Sequence, residues 1–150
     1  MAAASDKWVR CVQRNPQASY RLVFFGWMGN RGGRGSDCAP QTWAKHATDF
    51  EVFEVFLPGR RERLAEPCRT EMPPLARELA RAVLDVLGPQ PGQSCSSLKP
   101  YVFVGHAFGA VIAHETARVL CEKETFSCIA TYECVMPLPH RTASSMVHVT

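Results

Sequence analysis

The sequence predicts an α/β fold in which helices flank a parallel sheet. Residues 20–25, 50–57 and 101–105 are rich in β-branched and aromatic side chains, and turn-forming residues follow each of these runs. Helical patterns of apolar residues lie between and after them, so strands and helices alternate along the chain. This alternation favours parallel strands joined by right-handed crossovers. The length of 150 residues and the 46% of hydrophobic residues suit one hydrophobic core.

The first half of the chain supplies two of the predicted strands. The run Tyr-Arg-Leu-Val-Phe-Phe at Tyr20–Phe25 ends at Gly26 and leads into a glycine-rich loop. Residues 50–57 form the second strand, which stops at the Pro-Gly pair 58–59 and is expected near an edge or early in the sheet. A short helix is predicted between them, over residues 42–46.

A longer helix is predicted to begin at Pro73-Pro74, because proline is tolerated in the first turn of a helix. Gly88-Pro89 ends it, and charged residues occupy its other face. The predicted apolar face consists of Leu75, Leu79, Val83, Val86 and Leu87. Residues 89–97 then form a polar linker to the third strand.

The third strand runs into Gly105-His106-Ala107-Phe108-Gly109, after which apolar residues recur at helical spacing as far as Leu120. A strand, a sharp turn and a helix with the pattern Gly-x-Ser-x-Gly present the nucleophile of α/β-hydrolases. Here the middle residue is Ala107, whose methyl group cannot attack a carbonyl. On this motif alone, a plain β-to-α turn of a doubly wound sheet remains an alternative. If the segment is a nucleophile turn, we expect its middle residue to be strained and its glycines to let strand and helix approach closely.

Cysteine usage and the N-terminus bear on the compartment and on metal binding. The seven cysteines are odd in number and include no Cys-x-x-Cys pair, which argues against a disulfide framework and against a zinc site. Reduced thiols in a cytoplasmic protein are the resulting expectation, with no metal and no cofactor. The first residues lack the apolar segment of a signal peptide, and no later run reaches the ~18 apolar residues of a membrane span.

Motifs in three segments, in the same order along the chain, resemble those of the type II thioesterases, a family of the α/β-hydrolase superfamily that includes the medium-chain S-acyl fatty acid synthase thioesterases. The segment from Phe25 to Gly29 resembles the family's Phe-Pro-x-Ala-Gly-Gly loop, with Gly26 in place of proline. Residues 57–67 match Leu-Pro-Gly-Arg-x-x-Arg-x-x-Glu-Pro, and residues 105–109 are similar to Gly-His-Ser-Phe/Met-Gly. The resemblance covers roughly residues 22–120.

The resemblance implies an α/β-hydrolase-like parallel sheet with flanking helices, truncated after the helix that follows the nucleophile turn. The corresponding division is an N-terminal segment at residues 1–19, a partial thioesterase domain at residues 20–123 and a divergent tail at residues 124–150. Residues 126–132 of the tail are a candidate strand, whereas residues 141–150 show no helical or strand period.

The resemblance also implies roles for individual residues. The family hydrolyses acyl-[acyl-carrier-protein] thioesters in fatty acid biosynthesis, and its nucleophile position falls on Ala107. The backbone N–H groups of Met28 and Phe108 correspond to the oxyanion hole, and the remaining turn residues are Gly105, His106 and Gly109. The family's aspartate and histidine lie further along the chain than the resemblance extends. A catalytically inactive or severely impaired thioesterase relative is therefore expected, and the alternative is a remnant that binds acyl carrier protein or an acyl chain.

Charge adds one observation about partners. The net charge is +3, and its densest part is Arg60, Arg61 and Arg63, without the long basic stripe and interleaved aromatics of a nucleic-acid binder. A solvated loop is the preferred interpretation of these arginines. The alternative is attraction of an acidic partner such as the acyl carrier protein or fatty acid synthase, which would deliver an acyl thioester ligand.

Overall fold

A computed structural model describes residues 7–26, 40, 44–89, 91–92, 98–122, 128–135 and 144–149. Its strands are β1 (Val9–Gln13), β2 (Tyr20–Phe25), β3 (Phe50–Val55), β4 (Tyr101–Gly105), β5 (Cys128–Val135) and β6 (Ser144–Val149). Its helices are α1 (Met72–Leu87) and α2 (Phe108–Cys121), and short 3-10 turns lie at Ala44–His46 and Arg61–Arg63. The strands form one sheet in the order β1-β3-β2-β4-β5-β6.

The centre of the sheet is parallel, as predicted. Strand β2 lies between β3 and β4, with Val23 opposite Phe53 on one side and Phe103 on the other. Strand β5 extends the parallel part beyond β4. The three predicted strands and both longer predicted helices are thus confirmed, together with the α/β fold class.

The two edges differ from the expectation of a wholly parallel sheet. Strand β1 pairs antiparallel with β3, and β6 pairs antiparallel with β5. The connection between β5 and β6 spans only residues 136–143, which is shorter than the dozen or so residues that a parallel crossover needs. The expectation that residues 141–150 lack a strand was wrong, because β6 forms there by pairing with β5. The candidate strand at residues 126–132 is present, shifted to Cys128–Val135.

Both faces of the central strands are covered. One face packs against α1 and α2, and its buried residues include Val23, Phe25, Phe103, Leu79 and Ile112. The other face carries a smaller cluster of Leu22, Phe24, Ala44 and Val52. Burial on both faces explains why β2 and β4 are almost continuously apolar rather than alternating. On α1, the predicted residues Leu75, Leu79, Val83 and Leu87 are buried and Val86 is partly buried against the same core.

The C-terminal end of α1 is hydrogen-bonded to the N-terminal ends of β2 and β4, opposite the glycine-flanked turn. The Leu87 carbonyl accepts hydrogen bonds from the Tyr101 hydroxyl and from Arg21 Nη1, the latter at 3.1 Å. Arg21 Nε also lies 3.5 Å from Glu51 Oε2. Because the last carbonyls of a helix have no partner inside it, these contacts satisfy a group that would otherwise be buried unpaired. They fix α1 against β2 and β4.

Candidate functional site at the turn between β4 and α2

The turn at Ala107 has the geometry that the motif predicts. Strand β4 ends at Gly105 and α2 begins at Phe108, so the strand, turn and helix are confirmed. Ala107, in the N-cap position of α2, has φ 53° and ψ −123°. A non-glycine residue in such a conformation costs about 1 to 3 kcal/mol, so the surrounding structure must impose it.

Two glycines make this turn possible, because the neighbouring backbone leaves no room for a side chain at either position. A Cβ atom on Gly105 would lie 2.3 Å from the Ala110 Cα, and one on Gly109 would lie 2.2 Å from the Phe25 carbonyl oxygen. Both neighbours are backbone atoms, which cannot rotate away as a flexible side chain could. The start of α2 therefore lies directly against the ends of β2 and β4.

Backbone hydrogen bonds hold the turn in this position. The His106 N–H donates to the Phe25 carbonyl at 3.0 Å, which ties the turn to β2. The Gly109 N–H donates to the His106 carbonyl at 2.9 Å, and the Ala110 N–H donates to the Ala107 carbonyl at 3.0 Å. The conformation of Ala107 is thus determined by its neighbours, since its methyl group forms no hydrogen bond.

Of the two predicted oxyanion donors, the structure describes Phe108. It is the first residue of α2, so its N–H has no acceptor within the helix, and the residue is 45% exposed. Met28 lies outside the described residues. Gly105 and Gly109 are buried in the turn, and His106 and Ala107 are partly buried there.

A cleft of about 200 Å³ opens beside Phe108. It lies between the loop after β3 and the segment that leads into α1, which meet next to the turn. Its lining residues are Leu57, Pro58, Arg60, Cys68, Arg69, Thr70, Glu71, Met72, Leu75 and Phe108. Apart from Phe108, these residues did not stand out in the sequence as one site, because the cleft brings together segments about 50 residues apart.

The arginines of the loop after β3 are engaged within the protein. Arg63 is 7% exposed; its guanidinium donates to Glu66 Oε1 and Oε2 at 2.8 and 2.7 Å and to the Phe56 carbonyl at 2.7 Å. Arg61 Nη1 lies 2.5 Å from Oε1 of Glu54, a carboxylate that is itself buried. The interpretation of a solvated loop is therefore wrong for Arg63, because carboxylate and carbonyl oxygens replace water around its guanidinium. Arg61 is partly buried, and 28% of its side chain stays exposed.

Aromatic rings extend this network to the edge of the sheet. The Arg63 guanidinium lies 4.3 Å from the centre of the Trp8 ring, and Arg10 lies 4.3 Å from the centre of the Phe56 ring. Hydrogen bonds from Arg63 are the main cause that lowers the pKa of the Glu66 carboxyl, and nearby positive charges add to this effect. The loop is thus bound to the start of β1 by stacked guanidinium and aromatic groups.

Metal binding finds no support in the part of the chain that the structure describes. No group of three or more His, Cys, Asp or Glu side chains is arranged there to hold an ion. The thiols of Cys11, Cys68 and Cys121 are free, and burial is the main cause that raises the pKa of Cys11. In the described part of the chain, no helix has the length and apolar composition that crossing a membrane requires.

Known proteins resemble this chain in both sequence and structure, although no protein-family model matches it. The medium-chain S-acyl fatty acid synthase thioesterase of Rattus norvegicus is 30% identical over 144 residues, which are 95% of this chain and 49% of that protein. The Homo sapiens thioesterase of the same name is 33% identical over 113 residues, which are 75% of this chain and 37% of that protein. The solved structure of BorB, a type II thioesterase from the borrelidin biosynthetic cluster, superimposes with a TM-score of 0.61 at 26% identity and covers 97% of this chain and 55% of that one. The chain thus spans about half the length, or less, of these relatives.

Proposed function

Because this chain belongs to the type II thioesterase family, we propose that it is a thioesterase-fold protein that does not hydrolyse thioesters through a serine nucleophile. The observation that carries the proposal is the methyl group of Ala107 in the strained turn between β4 and α2. The resemblance to Gly-His-Ser-Phe/Met-Gly assigns the nucleophile to this position. The frame of the site is retained while the attacking group is replaced.

The chemistry follows from what the turn keeps and what it lacks. In a serine thioesterase, a hydroxyl attacks the thioester carbonyl, a histidine takes its proton, and backbone N–H groups stabilise the oxyanion. The methyl group of Ala107 has neither a lone pair nor a transferable proton, so no acyl-enzyme can form there. The Phe108 N–H is a backbone donor and does not depend on any side chain. The site can therefore orient a carbonyl without attacking it.

The proposed ligand class is an acyl thioester carried by acyl carrier protein or fatty acid synthase. The names of the rat and human relatives connect those proteins with fatty acid synthase, and we extend this connection to the present chain. A cytoplasmic location is proposed together with it. Loss of one member of a catalytic triad typically lowers kcat by about 10⁴ to 10⁶, and we expect an impairment of this size.

A second candidate is a binding role, in which the chain holds an acyl group or docks a carrier protein without turnover. The cleft beside Phe108 favours it, because it provides a partly open, largely apolar surface next to the turn. Arg61 and Arg63 contribute little to an electrostatic docking surface because both are neutralised within the protein. Saturable binding of an acylated carrier protein at low salt is expected from this candidate, and no signal at high concentration would exclude it.

Hydrolysis of a decanoyl thioester of N-acetylcysteamine tests the main proposal, with intact-mass detection of any acylated protein. The natural chain is expected to give no acylated species and a turnover about 10⁴ to 10⁶ times lower than that of a full-length type II thioesterase. The variant Ala107→Ser is expected to remain inactive in this chain, because a serine hydroxyl without a base is a weak nucleophile at neutral pH. Hydrolysis by the natural chain at rates comparable to a full-length type II thioesterase would overturn the proposal.

A further inference from the structure

The cleft beside Phe108 combines apolar walls with a cation that is not neutralised by the described part of the chain. Arg60 and Arg69 line the cleft. Arg69 forms a bidentate ion pair with Glu78, with N–O distances of 2.9 and 3.0 Å. Arg60 is partly buried and has no carboxylate partner among the described residues. It differs in this respect from Arg61 and Arg63, its neighbours in the loop. The cleft thus offers a guanidinium whose charge is available to a ligand.

We propose that this cleft binds a short apolar chain that ends in a carboxylate, with the carboxylate on Arg60. The apolar part would lie against Leu57, Met72, Leu75 and Phe108. A cleft of about 200 Å³ has room for about seven groups of the size of a water molecule, at roughly 30 Å³ each, so a short chain fits and a long one does not. The inference rests on the proposed function in one respect, since a thioester ligand must survive in the cleft without being hydrolysed.

The charges around the cleft favour a single carboxylate over a phosphate. A guanidinium presents two parallel N–H donors that match the two oxygens of a carboxylate. Glu71 lines the same cleft, and its carboxylate would repel a doubly charged phosphate more strongly than a singly charged carboxylate. Helix α1 begins here, but Pro73 and Pro74 in its first turn have no N–H to offer an anion. Recognition of the anion therefore falls on Arg60.

Two kinds of molecule carry this chemistry, and matched ligands distinguish them. A free short acid such as hexanoate places its only carboxylate on Arg60. A glutaryl thioester of N-acetylcysteamine places its terminal carboxylate there and directs its thioester towards the turn at Ala107. The hexanoyl thioester lacks the carboxylate, and hexylammonium reverses the charge.

Binding of these four probes to the full chain is measured by ligand-observed NMR, with the natural protein, Arg60→Gln, Arg60→Lys and the control Arg77→Gln. Arg77 is an exposed arginine of α1 that does not line the cleft. At least one carboxylate probe is expected to bind, with about tenfold weaker binding in Arg60→Gln and partial retention in Arg60→Lys. Arg77→Gln is expected to bind as the natural chain does.

Several results would overturn the inference. Equal binding of the neutral hexanoyl thioester, an unchanged affinity in Arg60→Gln, or an equal loss in Arg77→Gln would each remove the role of Arg60. Absence of saturable binding by both carboxylate probes would remove the site. The thioester signal in the same samples reports hydrolysis separately, so its decay contradicts the proposed function without deciding whether hexanoate binds at Arg60.

Discussion

Two residues, Ala107 and Arg61, are the non-glycine positions with positive φ in the described part of the chain, at 53° and 48°. Each follows the C-terminal end of a parallel strand, and each belongs to a segment that resembles a thioesterase motif. Backbone hydrogen bonds close both turns, but the two residues differ in what their own side chains contribute. Ala107 is held by backbone that packs closely because Gly105 and Gly109 lack side chains. Arg61 lies in a backbone turn that the Arg63 N–H closes by donating to the Arg60 carbonyl at 2.8 Å. Its own side chain adds contacts, because it pairs with the buried carboxylate of Glu54 and lies over the Phe56 ring.

The difference shows what each strained residue can tolerate. The turn at Ala107 depends on its neighbours, so its own side chain is free to change between serine and alanine while the backbone stays in place. The loop at Arg61 depends on side-chain contacts as well as on its backbone turn, so changes to those side chains should alter its stability. A side chain can therefore change at Ala107 with less effect on the fold than at Arg61.

The largest expected effect tests the packing of the turn. Gly109→Ala should lower the free energy of unfolding by about 3 kcal/mol or more, because its Cβ would lie 2.2 Å from the Phe25 carbonyl oxygen. Gly26→Ala is the matched control, since among the described residues its Cβ would meet the Phe24 ring at 3.6 Å, an ordinary contact. Urea denaturation measures both variants. Equal stability of the two would mean that close packing does not hold the turn.

The next effect tests the side-chain network of the loop. Arg63→Gln should lower the free energy of unfolding by about 2 to 3 kcal/mol, because it removes the buried guanidinium that contacts Glu66, the Phe56 carbonyl and the Trp8 ring. Arg69→Gln breaks the exposed pair with Glu78, and it should cost less than about 1 kcal/mol. Thermal unfolding of both variants measures the two losses of stability. A larger loss in Arg69→Gln than in Arg63→Gln would contradict the prediction.

A pair of glycine substitutions compares the two strained residues directly. Ala107→Gly should leave stability unchanged or raise it by about 1 kcal/mol, because relief of strain opposes the greater freedom of the unfolded chain. Arg61→Gly relieves similar strain but removes the cation beside buried Glu54, so it should lower stability by about 1 to 2 kcal/mol. In urea denaturation, a lower free energy of unfolding is expected for Arg61→Gly and an unchanged or higher one for Ala107→Gly. A loss of stability in Ala107→Gly larger than that in Arg61→Gly would reverse the comparison.

The smallest effect concerns pH. The pKa of Glu66 is lowered in the folded chain, so its ionised form stabilises the fold above the ordinary carboxyl pKa of about 4.3. This contribution is lost as the pH falls through the folded pKa below that value. Glu66→Gln should therefore lower stability at pH 7 and match the natural chain at low pH. In the Arg63→Gln background, Glu66→Gln should have no further effect on stability. If the stability still changes there, a group other than Arg63 lowers the pKa of Glu66.

The elements that could be predicted from the sequence are those with a local signal. Strands β2, β3 and β4 are apolar runs closed by turn residues, and α1 repeats its apolar residues at helical spacing after two prolines. The turn at Ala107 could be predicted because its pattern lies within five consecutive residues. Each of these segments carries enough information to specify its own conformation.

The remaining features depend on contacts between distant residues. Strands β1 and β6 were not predicted because edge strands are determined by pairing with a neighbour rather than by a strong apolar pattern. The burial of Arg63 could not be read from a cluster of arginines, since it depends on Trp8 and on the bidentate geometry with Glu66. The cleft arises where Leu57, Met72 and Phe108 meet, and no local pattern marks that meeting.

The irregular pairing of β1 with β3 bears on how the molecule behaves at high concentration. Their register shifts between Cys11 and Gln13, so the outer strand bends away from a regular ladder. An edge strand with an even row of open N–H and C=O groups is a template on which a further chain can add a strand. The shift interrupts that row after Cys11, so a foreign strand finds fewer consecutive partners there. This irregularity makes the β1 edge a poorer template for polymerisation than a regular edge strand would be.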